Sequence, residues 1–340
     1  MTSLSVGVVG ASGYTGAELV RLLLGHRILR PEIVTSREFA GRAIADVYPN
    51  LPTDLTFSEL DPDALGSLDL VFLALPHGAS MELGATLAKS GTAVVDLSAD
   101  FRLKDPGAYD EWFGAPHTAP GLLGDWVYGL PELHRDEIAS AKAVANPGCY
   151  PTAALLALTP LVAGGLIEPT KIVVSAASGV SGAGRGLNPG VHFSHVDANF
   201  KAYGVPAHKH TPEIEQELSA LATRDVRITF IPHLVPMARG LLATCIAPIS
   251  GGGDPLETAR AHYADEPFVR VLEALPETKY TAGSNACHVS YRVDERTDCV
   301  IAIAAIDNLG KGAAGQAIQN ANLMLGLEET MGLSAAGIYP

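Results

Sequence analysis

The chain has 340 residues, 47% of them hydrophobic and 18% charged, with a net charge of −14 at pH 7. That length accommodates two domains with separate cores, and the composition is that of a soluble globular protein. The acidic balance excludes nonspecific nucleic-acid binding, which needs a basic surface, but leaves room for anionic small molecules held by local arginines. No apolar run reaches membrane-spanning length, and the first strand begins almost at once, without a basic leader or cleavage site. The cysteines at 149, 245, 287 and 299 lack metal-ligand spacing. A cytoplasmic protein with no membrane segment, disulfide framework or bound metal is the expectation.

In chain order, Leu4–Val9 reads as a strand and 16–24 as a helix with apolar residues at helical spacing. Strands follow at 32–35, 69–75 and 93–97. Near-continuous apolar strands separated by helices predict a parallel sheet covered on both faces. A helix begins near Cys149, and the character then changes. Longer strands at 171–177, 226–231, 240–249, 285–293 and 300–306 have fewer helices between them, and 312–327 is helical. The fold class expected is α/β plus α+β: an N-terminal Rossmann-like parallel sheet over 1–148, and an α+β domain on a largely antiparallel or mixed sheet over 149–307. A C-terminal segment, 308–340, is expected to return to the first domain.

Between the first strand and its helix lies Gly10-Ala11-Ser12-Gly13-Tyr14-Thr15-Gly16. Glycines there permit a tight turn and let backbone approach a pyrophosphate, whose charge the helix N-terminus stabilises. Gly10, Ser12, Gly13, Tyr14, Thr15 and Gly16 are therefore dinucleotide-binding candidates; a ligand-free strand–helix turn is the alternative. The second strand ends in Ser36 and Arg37 where an NAD site would place an acid. A hydroxyl and a guanidinium suit a 2′-phosphate, so NADP is the expected cofactor, although Glu38 offers the missing acid. Leu75, Pro76 and His77 close the third strand at the edge where cofactors lie, with His77 read as a loop or capping residue near the cofactor rather than a catalyst.

Asn146-Pro147-Gly148-Cys149-Tyr150-Pro151-Thr152 carries most of the chemistry. Proline and glycine force a turn, and Pro151 suits a first helical turn. Cys149 then sits where free amides and the helix dipole converge, a setting that favours thiolate and stabilises an oxyanion. The alternative is a buried, inert cysteine. A thiol nucleophile needs a proton shuttle, and His208 and His210 stand just before a helix that Pro212 starts, with Thr211 as its cap and Glu213 in its first turn. Arg102, Arg185 and Arg239 adjoin glycine or turn segments, and guanidinium is a natural clamp for phosphate or carboxylate. The loop with Ser178, Gly179, Ser181 and Gly182 is glycine-rich enough to close over a nicotinamide or a phosphate. Asn308 opens another strand–helix junction able to bring the chain back to the cofactor.

Together these runs resemble the N-acetyl-gamma-glutamyl-phosphate reductase family, in the order the family keeps them. They are the loop at 10–16, Leu75-Pro76-His77, 96–102, Tyr128-Gly129-Leu130-Pro131-Glu132, 146–152, 178–186, His208 to Glu213, and Asn308 to Gln316. The resemblance covers nearly the whole chain, and the family is related to aspartate-semialdehyde dehydrogenase. It implies NADPH-dependent reduction of an acyl phosphate to a semialdehyde through a Cys149 thioester. Either His208 (preferred) or His210 would move the proton, with Glu213 orienting the ring. It also implies that Arg102 and Asn146 clamp phosphate, that Arg239 serves phosphate or carboxylate, and that the protein is a homodimer or homotetramer. The rival readings are an aspartate-semialdehyde dehydrogenase, a noncatalytic NADP-binding sensor and a thiol hydrolase.

Overall fold

The computed structural model describes residues 3–339. The chain divides into two compact units, each described by itself. The first comprises the chain up to Pro147 together with Ala313–Leu333; the second is Gly148–Gly312 with the segment from Ser334.

The first unit is built on six parallel strands: β1 (Leu4–Val9), β2 (Leu29–Val34), β3 (Leu70–Leu73), β4 (Ala93–Asp96), β5 (Val127–Tyr128) and β6 (Ala143–Ala145), in the order β2-β1-β3-β4-β6-β5. Alternate side chains of one strand serve opposite cores. Val6, Val8, Phe72 and Val95 pack with helices Tyr14–Gly25 and Gly315–Met324. Val9, Val71, Leu73 and Val94 pack on the other side with Met81, Phe101, Tyr109 and Trp126. The chain leaves β1 for β2 on one side and β3 lies on its other side, so strand order reverses at β1, and its carboxyl end is where an open α/β sheet binds ligands.

β2 begins three residues earlier than the pattern suggests. Pro31 obscured it, yet β2 is an edge strand, where a missing amide proton costs nothing, and its pairing with β1 is irregular between Val6 and Gly7.

The second unit carries seven strands: β7 (Ile172–Gly179), β8 (Lys201–Ala202), β9 (Ile228–Val235), β10 (Leu241–Pro248), β11 (Val269–Val271), β12 (Cys287–Asp294) and β13 (Cys299–Ile306). Their order is β11-β12-β13-β10-β7-β9-β8, with antiparallel pairs through the centre and parallel pairs β7–β9 and β11–β12. The sheet is mixed. Helix Cys149–Ala163 covers one face and is buried almost along its whole length.

The expected C-terminal segment 308–340 divides. Residues 313–333 join the first unit, whereas Asn285 N donates to Ser334 O and Ile338 N to Ala282 O, tying the last residues to the second. Residues 310–314 form a π-helical turn before helix Gly315–Met324, a local irregularity that often marks functional segments. The four cysteines form no disulfide. Among the described residues, no helix is long and apolar enough to cross a membrane and no group of side chains suits a metal ion.

Candidate functional site

The glycine loop of the first unit has three glycines with three different reasons. Gly10 has φ +79°, and a Cβ on it would lie 2.4 Å from Ala74 O. At Gly16 a Cβ would stand 2.4 Å from Gly10 O and 2.6 Å from Ala11 Cα, so its absence lets the helix start against the strand end. Gly13 differs: the nearest atom to its Cβ would be 3.5 Å away, an ordinary contact. Nothing inside the protein requires a glycine there. What it provides is open backbone at the head of helix Tyr14–Gly25, whose cap makes no side-chain hydrogen bond and whose first turn carries no acid. Such a helix end is suited to an anion. The loop is pinned from behind, since Ala11 N donates to Thr35 O and Tyr48 Oη to Ser12 O. These residues fit a dinucleotide pyrophosphate.

At the end of β2 the expected pair separates. Ser36 is buried; its hydroxyl donates to Ser12 Oγ at 2.8 Å and accepts from Phe39 N at 3.1 Å. It closes the loop. Arg37 is exposed, as is Glu38. Tyr14 is exposed, Thr15 and Leu75 are half-buried, and Pro76 is exposed.

His77 Nδ1 lies 2.5 Å from Asp100 Oδ1, and its ring packs on Phe113 at 4.1 Å. Burial alone would raise the Asp100 carboxyl. His77 and the amides of Gly78 and Ser80 outweigh it and hold Asp100 below the usual carboxylate range. Asp96, fully buried at the end of β4, is pushed up to about 6 by burial despite its bonds from Ser98.

The two residues expected at the phosphate have bonds inside the first unit. Arg102 is buried, with Nε donating to Asn146 O at 2.8 Å and Nη2 to Leu97 O at 2.9 Å. Asn146 is fully buried; its Oδ1 accepts from Asn320 Nδ2 at 3.0 Å, and its own Nδ2 donates to Ala313 O at 3.3 Å. These bonds hold the turn before Cys149.

In the second unit Cys149 begins helix Cys149–Ala163, capped by Gly148 with no acid in its first turn. Thr152 N returns to Gly148 O, Pro151 has no amide proton, and a helix offers no acceptor to its leading N–H groups. Cys149 is half-buried. Gly312 leaves it room, since a Cβ there would stand 2.9 Å from Cys149 Cβ. Glu213, 2% exposed, accepts the Gly148 amide at 2.8 Å and so fastens the turn to helix Thr211–Ala222. Thr211 lies inside that helix. Its cap is His210, with helical dihedrals and no side-chain bond, which corrects the expected role of Thr211.

His208 sits among four rings: Tyr150 at 5.8 Å, Tyr203 at 5.4 Å, Phe230 at 5.3 Å and His210 at 4.9 Å. Its Nδ1 accepts the His210 amide at 3.1 Å. Burial, aided by Lys209, lowers its pKa to about 4. A neutral imidazole whose Nδ1 is an acceptor carries its proton on Nε2, so His208 is poised to donate.

The sign of the stability effect follows. The unfolded ring takes a proton near 6.5 and the folded ring only near 4, so stability falls as pH drops through that window. Asp96, raised to about 6, slopes the opposite way, so the comparison must be a difference. His208→Gln should lose less stability than the parent between pH 7 and pH 5 in urea titrations. Equal losses would contradict the neutral ring.

Tyr150 Oη donates to His233 O at 2.9 Å and receives Tyr203 Oη at 3.2 Å. Burial raises both phenols, Tyr203 to about 12, and the Cys149 charge adds to each, so the sulfur is within electrostatic range of both. Neither ring was anticipated; Tyr203 sits in a segment with no motif.

The remaining candidates gather around the turn after β9. Gly179 N donates to Gly240 O, Val180 N to Met237 O and Ser181 N to Ala238 O, and a Cβ on Gly179 would strike Met237 O at 2.8 Å. Ser178 is buried. Asn308 Oδ1 accepts from Gly240 N and its Nδ2 donates to Ser181 Oγ, so its amide binds two loops together. Gly182 and Arg185 are exposed. Arg239 pairs with the fully buried Asp307, Nε to Oδ2 at 3.0 Å.

Two family models match in succession: the semialdehyde dehydrogenase NAD binding domain over residues 5–141 and the semialdehyde dehydrogenase dimerisation domain over 149–308. N-acetyl-gamma-glutamyl-phosphate reductase of Pelotomaculum thermopropionicum is 49% identical over 99% of this chain and all of its own length. That of Symbiobacterium thermophilum is 51% identical over the same shares. Among solved structures, aspartate semialdehyde dehydrogenase II of Vibrio cholerae superposes with a TM-score of 0.73 at 16% identity, over 96% of this chain and 99% of that one. A probable aspartate-semialdehyde dehydrogenase of Pseudomonas aeruginosa does so with 0.73 at 20%, over 95% and 99%. These two likenesses speak for the fold.

Proposed function

The chain belongs to the N-acetyl-gamma-glutamyl-phosphate reductase family, and from that premise we propose that it reduces N-acetyl-gamma-glutamyl phosphate to N-acetylglutamate semialdehyde and phosphate. The observation that carries the reading is Cys149 at the open head of a helix, with a boxed imidazole and an anchored arginine in the same unit. Full-length identity of about half to these reductases, against 16–20% to the dehydrogenase structures, favours this acyl phosphate over aspartyl phosphate.

The Cys149 thiolate attacks the acyl carbon, the carbon–oxygen bond to phosphate breaks, and phosphate leaves with its electron pair to give a thioester. A nicotinamide dinucleotide, which Gly10, Ser12, Gly13 and Gly16 would hold, would supply the hydride that takes a thioester carbon to the aldehyde level. The sulfur then leaves as thiolate. Covalent catalysis thus splits one hard substitution into two easier steps. The helix head around Cys149 stabilises the oxyanion, and His208 Nε2–H donates to the same oxygen. The His208–His210 pair takes the Cys149 proton, and Glu213 keeps the turn and the histidine segment together. Arg239, with Arg185, holds the anionic ends of the substrate.

The cofactor is NADP, recognised by Arg37 at the exposed end of β2. Phosphate-dependent reduction of NADP⁺ by N-acetylglutamate semialdehyde tests the whole reading. Turnover should need phosphate and be weaker with NAD⁺, and Arg37→Ala should narrow that preference. Activity with aspartate semialdehyde alone would overturn the substrate; equal use of both cofactors would overturn the 2′-phosphate contact.

The partner is a second copy, as homodimer or homotetramer. Val173, Ile246 and Ile301 stand side by side across β7, β10 and β13 on the sheet face opposite the helices, with Ile246 37% exposed. A monomer mass in sedimentation would contradict this.

A further inference from the structure

We propose that Asp307 is a positioning residue for the reaction: it aims the Arg239 guanidinium at the anionic substrate. The inference rests on the reading above and adds a residue to it.

Asp307 follows β13 and is fully buried. Oδ1 accepts Leu309 N at 2.8 Å and Gly310 N at 3.0 Å, which folds the chain into the π-helical turn. Gly283 N donates to Oδ2 at 2.6 Å. The Nε–Nη2 edge of Arg239 supplies the rest, with Nε 3.0 Å from Oδ2 and Nη2 3.1 Å from Oδ1. The backbone carbonyl of Asp307 accepts Gly312 N at 2.9 Å, and Gly312 is the residue whose missing Cβ makes room for Cys149. One residue therefore grips the arginine with its side chain and the bed of the nucleophile with its main chain.

As a stability device this is a poor choice. A carboxylate taken wholly out of water is costly, and replacing a buried ion pair with apolar groups is often neutral or stabilising. The Arg239 side chain is still 29% exposed, so the pair does not close over itself. A guanidinium held along one edge by a fixed carboxylate has lost its rotamer freedom before substrate arrives, and less is lost when an anion binds. The neighbouring Asn308 extends the same arrangement, its amide joining Gly240, beside Arg239, to Ser181.

The test is a double-mutant cycle of Asp307→Asn and Arg239→Gln, assayed with N-acetylglutamate semialdehyde, phosphate and NADP⁺. Each single variant should raise the KM of the semialdehyde or of phosphate by about tenfold or more, with the KM of NADP⁺ within about twofold. The double variant should be no worse than Arg239→Gln alone. Losses that multiply, or an equal rise in the NADP⁺ KM, would overturn the proposal. Should Asp307→Asn fail to fold, Asp307→Glu, which keeps the charge but displaces it, enters the same cycle with the same criteria. Calorimetric binding of N-acetylglutamate repeats the cycle without turnover. A parent protein that binds this anion through the coupled pair yet does not reduce NADP⁺ would sink the assigned reaction and leave the pair standing. Uncoupled binding in an active enzyme would do the reverse.

Discussion

Cys149→Ala is expected to lower turnover by roughly 10⁵-fold or more while leaving NADPH affinity within about twofold. The residue does nothing for the glycine loop, which lies in the other unit and is shaped by Gly10, Thr35 and Tyr48. Nor does it carry the fold, because it is half-buried at the end of a helix whose remaining residues supply the packing. Cys149→Ser retains size and hydrogen bonding but presents an alkoxide precursor of far higher pKa, so it should be nearly as inactive. Stopped-flow reduction and fluorescence titration of NADPH separate the two effects. Appreciable turnover in the serine variant, or a joint loss of turnover and cofactor binding, would remove the covalent role.

The second large effect distinguishes two glycines three residues apart. Gly16→Ala forces a methyl to within 2.4 Å of Gly10 O and 2.6 Å of Ala11 Cα, backbone atoms that cannot swing aside. It should destabilise the first unit by about 1–3 kcal/mol or more and lose cofactor binding along with the loop's shape. Gly13→Ala meets nothing closer than 3.5 Å. Its unfolding midpoint should stay close to that of the parent, while NADPH binds at least about tenfold more weakly, because the methyl occupies the open backbone where pyrophosphate approaches. Unfolding and cofactor titrations on both variants decide it. Equal binding by Gly13→Ala and the parent would argue against a pyrophosphate at this helix head.

How much of this was legible depended on how far apart the determinants lie in sequence. The β1–loop–helix unit is local: periodicity and three glycines define it within 25 residues. Cys149 at a helix start is local too, because Pro151 and Gly148 fix the first turn on either side of it. Arg102 and Asn146 show the opposite case. Their residue types suit a phosphate, but their bonds depend on β4 and β6 lying side by side, which brings Asn146 O to Arg102, and on helix Gly315–Met324, which brings Asn320 to Asn146. The box around His208 likewise needs β9 to deliver Phe230 and the following segment of β8 to deliver Tyr203. No spacing within one run announces such an encounter. Asp307 is intermediate. It ends a strand before a glycine-rich turn, where only Asn308 onward drew a reading, and its arginine sits 68 residues away in the chain.

The central claim is that one sulfur becomes acylated. Intact mass spectrometry of the protein mixed with N-acetyl-gamma-glutamyl phosphate in the absence of NADPH tests it most directly. A mass gain equal to one N-acetylglutamyl group, located at Cys149, discharged by NADPH and absent in Cys149→Ala, is the predicted result. An unmodified protein that nevertheless turns over when NADPH is added, or an acyl group on any other residue, would contradict it.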